Sequence, residues 1–137
     1  MDSNEKSVVR RFYDIINSGK TEDLDLVCAE DLRGHAGAGA DLAELRSAIM
    51  GFLAPFPDLT VDILHLVQEG DTVSAWLSYS GTHRADFAGI PASGRKVKFA
   101  GWDLVRVRDG KIVEITQYCD LFALMSQIGA LATAAPA

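Results

Sequence analysis

Cysteine is scarce in this chain. Cys28 and Cys119 are the two present in 137 residues, too few for a disulfide framework and suited to a reducing compartment, so a cytoplasmic location is expected. Basic residues are in deficit. Thirteen Lys and Arg against nineteen Asp and Glu give a formal net charge of -6, and an acidic surface repels phosphate backbones, which argues against nucleic acid as a partner. The basic residues do not cluster either. Arg10-Arg11 is one helical doublet, and Arg95, Lys96 and Lys98 fall in a turn and a strand start, both read as solvated faces. No run approaches the roughly 20 apolar residues of a membrane span, so no membrane partner is expected. The opening Asp2-Ser3-Asn4-Glu5 lacks the basic region and apolar run of a signal peptide.

What the chain does have is apolar content: 48% of its residues, which excludes a disordered chain. The length suits one domain with a real core. That domain is expected over residues 1–131, with a small-residue flexible tail at 132–137.

The first half reads as helical. Ser3 is placed to cap a helix running to about Ser18, with Val8, Val9, Phe12, Tyr13, Ile15 and Ile16 on one stripe and Gly19 as its stop. Thr21 is placed to cap a second short helix, and an extended piece over Asp31–His35 follows. After the flexible Gly37-Ala38-Gly39-Ala40, Asp41 and Glu44 make a capping-box pattern for a third helix, which Pro55 and Pro57 end. The second half changes character. Leu59–Gln68, Thr72–His83, Val97–Val107 and Ile112–Cys119 read as strands, the second with clear alternation. A last short helix covers Leu121–Ile128, closed by Gly129. Helices first and antiparallel strands second predict an α+β fold, a curved sheet wrapped around helices as a cone with an internal pocket.

Asp109-Gly110 between two strands is a strong hairpin signal. The strand before it carries Val97, Phe99, Gly101, Asp103, Val105 and Val107 at odd positions, an apolar stripe interrupted by one carboxylate. Burial of a lone carboxylate costs several kcal/mol, so such a group must be paired, protonated or facing a cavity. Lys98, Arg106 and Arg108 on the even face make the odd face the inner one. A two-residue turn pairs Arg108 with Lys111. Counting back without a bulge sets Asp103 opposite Thr116, Gly101 opposite Tyr118 and Phe99 opposite Asp120. Asp103 and Asp120 then open onto one side of the sheet with Tyr118 between them, and two carboxyls in a partly apolar pocket have their pKa values pushed up or apart. His83 continues the inner face of its strand, as a pocket group or a structural hydrogen bonder. His35 is read as pocket lining, His65 as a core or interface histidine, and Tyr13 as a packing residue or a hydroxyl offered to the cone. The three histidines have no metal-ligand spacing. Gly37-Ala38-Gly39 lacks the third glycine and the βαβ context of a dinucleotide site. The outer face, with Trp102, Leu104, Val113 and Ile115, would be a large apolar patch, so a homodimer, or a tetramer built from such dimers, is expected through the sheet.

Several short motifs occur in order: Phe56-Pro57-Asp58, Glu69-Gly70-Asp71, Gly81-Thr82-His83, Phe87-Ala88-Gly89-Ile90-Pro91-Ala92-Ser93-Gly94-Arg95, Asp109-Gly110-Lys111-Ile112-Val113-Glu114, Asp120 and Gln127-Ile128-Gly129. With these the chain resembles the SnoaL-like polyketide cyclases, from the first helix almost to the C-terminus. The resemblance implies a nuclear transport factor 2-like cone and intramolecular aldol ring closure of a hydrophobic, polyketide-type small molecule, with neither metal nor cofactor. It also implies an aspartate after the last strand as general base and acid, and Asp120 occupies that place. Related members act as hydroxylases, epoxide-opening cyclases, hydrolases or dehydratases. Asp103 resembles the oxyanion-hole aspartic acid of the more distant ketosteroid isomerases, and Tyr13 loosely resembles their helix tyrosine. Two departures concern the substrate: Thr116 stands where the family commonly has tryptophan, and Arg84 where a small polar residue is usual. Asp120, Asp103 and His83 are thus the catalytic candidates. Tyr13, His35, Arg84, Phe87, Phe99, Thr116 and Tyr118 are the substrate-binding candidates.

Overall fold

A computed structural model describes residues 2–130; the tail expected at 132–137 lies outside the described residues. Helix α1 spans Asn4–Ser18. The Ser3 side chain accepts from the Lys6 amide, and Gly19 closes the helix in the left-handed region at φ 74°. A 3-10 helix, Thr21–Leu26, follows; it has no side-chain cap, so the role expected of Thr21 is not realised. Strand β1 (Cys28–Ala36) is longer than the Asp31–His35 segment read from the sequence. Asp41 caps helix α2 (Leu42–Leu53) by accepting from the Glu44 amide at 2.9 Å. The Glu44 carboxylate reaches back to the Ala40 amide, also at 2.9 Å. Strands β2 (Thr60–Glu69), β3 (Thr72–Thr82), β4 (Lys96–Arg108) and β5 (Lys111–Cys119), then helix α3 (Leu121–Gln127), complete the chain. No helix among the described residues is long and apolar enough to cross a membrane.

The five strands form one mixed sheet in the order β1-β5-β4-β3-β2. β1 runs parallel to β5 and the other pairs are antiparallel. Asp109 and Gly110 both take positive φ, 53° and 76°, the requirement of a two-residue hairpin turn. The odd face of β4 is the inner one: Val97, Phe99, Gly101, Asp103, Val105 and Val107 are all buried. Val9, Phe12, Tyr13 and Ile16 of α1 and Leu45 and Ile49 of α2 pack on that face. A second cluster, Phe56, Leu59, Val97, Phe99, Leu124 and Ile128, fills the other end beneath α3. Register breaks in β1, in β2 and between β4 and β5 add the local twist that bends a sheet around its helices.

The break between β4 and β5 overturns the pairing counted from the turn. Arg106 faces Glu114 and Val107 faces Ile112, so Val113 is an extra residue on β5. Beyond it every partner shifts by one: Asp103 faces Gln117, Gly101 faces Cys119, Trp102 faces Tyr118 and Leu104 faces Thr116. Since paired residues project to the same side, Gln117 and Cys119 turn inward and Thr116 and Tyr118 outward. Ile115, expected on the outer face, is fully buried opposite Val105.

At Lys98, where β3 still pairs on one side, β5 has already ended and the other edge of β4 is open. The Gln127 side chain takes that place. Its Oε1 accepts from the Lys98 amide and its Nε2 donates to the Lys98 carbonyl, both at 2.7 Å. Gln127→Ala should therefore lower stability by about 1 kcal/mol, the usual net worth of exposed main-chain pairing. Urea unfolding reads this loss, and an unchanged midpoint would mean that water replaces both bonds at no cost.

Candidate active site

Asp103 is fully buried on the inner face of β4, carried there by strand alternation. One of its oxygens, Oδ2, accepts two hydrogen bonds, from the Tyr13 hydroxyl at 2.5 Å and from Gln117 Nε2 at 3.2 Å. Each donor comes from a different element. Tyr13 lies on the buried stripe of α1, its ring edge-on to Phe12, and Gln117 faces Asp103 because of the β5 bulge. The other oxygen, Oδ1, is buried with no partner among the described residues. Burial in this apolar setting pushes the carboxyl up to about 7, against the opposing pull of the Tyr13 and Gln117 hydrogen bonds. Desolvation and the adjacent carboxylate hold the Tyr13 hydroxyl well above the usual phenol range, so it remains a donor. A carboxyl poised near neutrality, with one oxygen anchored and one free, can both take and return a proton.

Next to it is a cavity of about 60 Å³ lined by Gly37, Phe52, Tyr79, Phe99, Gln117, Tyr118 and Cys119. Gln117 belongs to both: its side chain bonds Asp103 and forms part of the cavity wall. Gly37 is tied to β5 through its amide on the Gln117 carbonyl at 2.9 Å. Tyr79 and Phe99 stack at 5.1 Å and 11°. Sites for drug-sized ligands enclose about 300–1,000 Å³, so the cavity as it stands holds a few waters or part of a larger ligand.

The sequence expectations fare unevenly. Asp103, Tyr13 and Phe99 gather at or beside the cavity. Asp120 does not. Its backbone amide donates to the Ala100 carbonyl at 2.8 Å, and its exposed carboxylate caps α3 by accepting from the Ala123 amide at 3.0 Å. It borders an open groove with Trp76, Trp102 and Tyr118 on the outer side. The expected convergence of Asp103 and Asp120 is thus corrected, because the bulge reverses the facing of the end of β5. Tyr118 is 59% exposed and stacks on Trp102 outside, reaching the cavity at its rim. Thr116 lines an outer groove with Leu104 and Arg106. His35 is exposed and paired with Glu114 at 2.8 Å, so it is no part of the cavity. His65, expected in a core or an interface, is exposed on β2 opposite Trp76. Arg84 is exposed, held by its amide on the Pro55 carbonyl. Phe87 packs behind the wall on Phe52 and Phe56. His83 is fully buried, and its Nε2 has no partner among the described residues. Its Nδ1 accepts from the Ser93 amide at 3.1 Å and meets the Ser93 hydroxyl at 2.8 Å, clasping the 84–95 loop.

Sequence reasoning assigned none of Gln117, Gly37, Phe52, Tyr79 and Cys119 to the site. The signal for Gln117 lay in the bulge, which nothing in the alternation announces. The signal for Tyr79 was Gly101, a glycine inside a strand, which marks a close approach.

With this geometry in hand, likeness to known proteins can be weighed. The family model of the SnoaL-like polyketide cyclases matches residues 6–128. The chain is 26% identical to the aklanonic acid methyl ester cyclase DnrD of Streptomyces peucetius, over 93% of this chain and 92% of that protein. Among solved structures, TsrD from Streptomyces laurentii superposes with a TM-score of 0.84 at 28% identity, covering 96% of this chain and 99% of that one. IdmH from Streptomyces antibioticus gives 0.82 at 29%, covering 91% and 98%.

The raised Asp103 carboxyl carries a stability signature. In the unfolded chain the group titrates near 3.8, and in the folded protein at about 7. The folded state therefore binds more protons between these values, and stability falls as pH rises from about 4 to about 7, then levels off. The difference is on the order of 4 kcal/mol. Urea unfolding from pH 4 to 8 should show this slope in the wild type and not in Asp103→Asn; parallel profiles would mean that Asp103 is ionised throughout.

Proposed function

This chain belongs to the SnoaL-like polyketide cyclase family, and from that premise we propose that it closes a ring in a hydrophobic ketone of polyketide type, with Asp103 as the group that moves the proton. The observation that carries the reading is the free, buried Oδ1 of a carboxyl poised at about 7 beside an apolar cavity.

In the ionised form, Oδ2 keeps the Tyr13 and Gln117 hydrogen bonds while Oδ1 takes the acidic proton from the carbon between two carbonyls. The C–H electron pair becomes the enolate. That carbon attacks a second carbonyl in the same molecule, a C–C bond forms, and the new alkoxide takes the proton back from Oδ1. Atoms and charge balance, and the carboxylate is restored. Enclosure supplies the proximity that makes the attack intramolecular in effect. The substrate class rests on the family and on the relative named for aklanonic acid methyl ester.

Aklanonic acid methyl ester and smaller aryl 1,3-diketones are the substrates to try. Asp103→Asn should lower ring closure by about 10²–10⁴-fold, while Asp120→Asn, which keeps the helix cap, should stay near the wild-type rate. The reverse ranking would move the chemistry to the outer groove. The small cavity favours one second reading, a proton-shift isomerisation of a smaller ketone. Product analysis separates the two, because isomerisation forms no new C–C bond.

We also propose that the outer face of the sheet meets a second copy of this chain. Trp76, Tyr118 and Phe122 are 51%, 59% and 74% exposed, an apolar surface that a monomer rarely shows water. Its rim carries both signs, Arg106 and Arg108 with Asp71 and Glu114, as a self-complementary two-fold contact requires. Sedimentation at micromolar concentration should return a dimer mass for the wild type and a monomer for Trp76→Arg. A monomeric wild type would remove this proposal.

A further inference from the structure

We propose that Tyr79 donates the hydrogen bond that holds the enolisable carbonyl oxygen of the substrate, and that Gly101 is the positioning residue that lets it do so; the proposal rests on the proton-transfer reading given above. The argument begins with the missing side chain of Gly101. A Cβ there would lie 2.2 Å from Tyr79 Cε2, 3.1 Å from Cδ2 and 3.2 Å from Cζ. The Tyr79 ring thus lies directly against bare β4 backbone, on a seat that any other residue would fill. Register explains the direction. Tyr79 pairs with Phe99 and Leu77 pairs with Gly101, so the ring reaches from the Phe99 level across to the Gly101 level, towards Asp103 two residues further on. Its other support is Phe99, stacked nearly parallel at 5.1 Å. A ring fixed by backbone and by a stacked aromatic has little freedom left to lose on binding, which is what a preorganised donor needs.

The ring also lines the cavity. Burial, with the charge of Asp103 and of Cys119 nearby, holds the Tyr79 hydroxyl well above the usual phenol range, so it keeps its proton. Tyr13 has committed its hydroxyl to Asp103; the Tyr79 hydroxyl has no protein acceptor among the described residues. A cavity with a buried carboxyl directly behind its Gln117 wall, and in another wall a tyrosine whose O–H is uncommitted, matches a ketone passing to its enolate. The carboxylate takes the α-proton, and the hydroxyl receives the charge that develops on oxygen.

Two probes test this without the natural substrate. The first is deuterium uptake at the acidic carbon of 1-phenylbutane-1,3-dione, which reads enolisation alone. The second is the affinity for 2-naphthols of graded acidity, whose oxygen imitates an enolate. Tyr79→Phe keeps the ring and its stacking, so it should fold as the wild type does by circular dichroism. It should lose roughly 10²-fold in deuterium uptake, the usual effect of removing one such donor, and flatten the dependence of naphthol affinity on naphthol acidity. Gly101→Ala keeps the hydroxyl but evicts the ring, and should fall in the same way. The double variant should be no worse than either single one, because the two act as a unit.

Uptake unchanged in Tyr79→Phe but lost in Asp103→Asn would overturn the role of Tyr79 and leave the proton-transfer reading in place. Uptake unchanged in Asp103→Asn, with the naphthol dependence still flattened in Tyr79→Phe, would overturn that earlier reading and keep Tyr79 as an oxygen-binding donor. A wild type that neither exchanges the diketone nor binds naphthols would overturn both.

Discussion

The site depends on one buried interaction, the Asp103 carboxyl held on a single oxygen by Tyr13 and Gln117. A carboxyl removed from water without partners would be untenable as an anion. With too many partners it would be an ordinary strong acid fixed in the ionised form. Two donors on Oδ2 and none on Oδ1 lie between those limits and leave the group near neutrality. The same contact ties helix to sheet. Tyr13 cannot reach Asp103 unless α1 lies across the inner face of β4, and Gln117 cannot unless β5 is in its bulged register. The state of the buried carboxyl and the packing of the cone are therefore secured by the same atoms.

Much of the architecture was legible because it is local. Ser3, Gly19, the Asp41–Glu44 box and Asp109-Gly110 each act over a few residues, and each does in the fold what its chemistry dictates. The inner face of β4 was legible for a related reason: four apolar residues and glycine with one aspartate leave little choice of side. What failed was longer in range. A single extra residue, Val113, reverses the facing of every residue after it on β5. It exchanges Gln117 for Thr116 beside Asp103 and carries Tyr118 outward. Period-2 reasoning has no means to place such a residue, since Val113 is an unremarkable member of an alternating run. His35 failed similarly, because β1 joins β5 in parallel, a pairing with no turn to count from.

Asp120 shows how one residue type at a strand end can be read in two ways. A carboxylate just before a helix is a natural cap, and here it bonds the Ala123 amide. Gln127, one helix length later, closes the open edge of β4 at Lys98. Together these two polar side chains fix both ends of α3, which lets Leu124 and Ile128 seal the second core cluster over Val97 and Phe99. That end of the chain is thus explained by sheet closure without assigning it any chemistry.

The small size of the cavity divides its walls by what holds them. A ligand enclosed whole needs more room than the about 60 Å³ present and has to displace side chains. Phe99 and Gly101 are locked in the β3–β4 ladder, and Tyr79 is held between them. Asp103 is fixed by two hydrogen bonds. Phe52 differs: it sits half-buried in the last turn of α2 and leans on Phe87, itself half-buried on a loop fastened by His83 and Ser93. Apolar contacts of this kind rearrange at lower cost than a ladder or a buried polar cluster. Room for a larger ligand therefore comes from the Phe52–Phe87 side. The Asp103 side stays rigid, so the wall that adapts to a ligand is separate from the buried carboxyl.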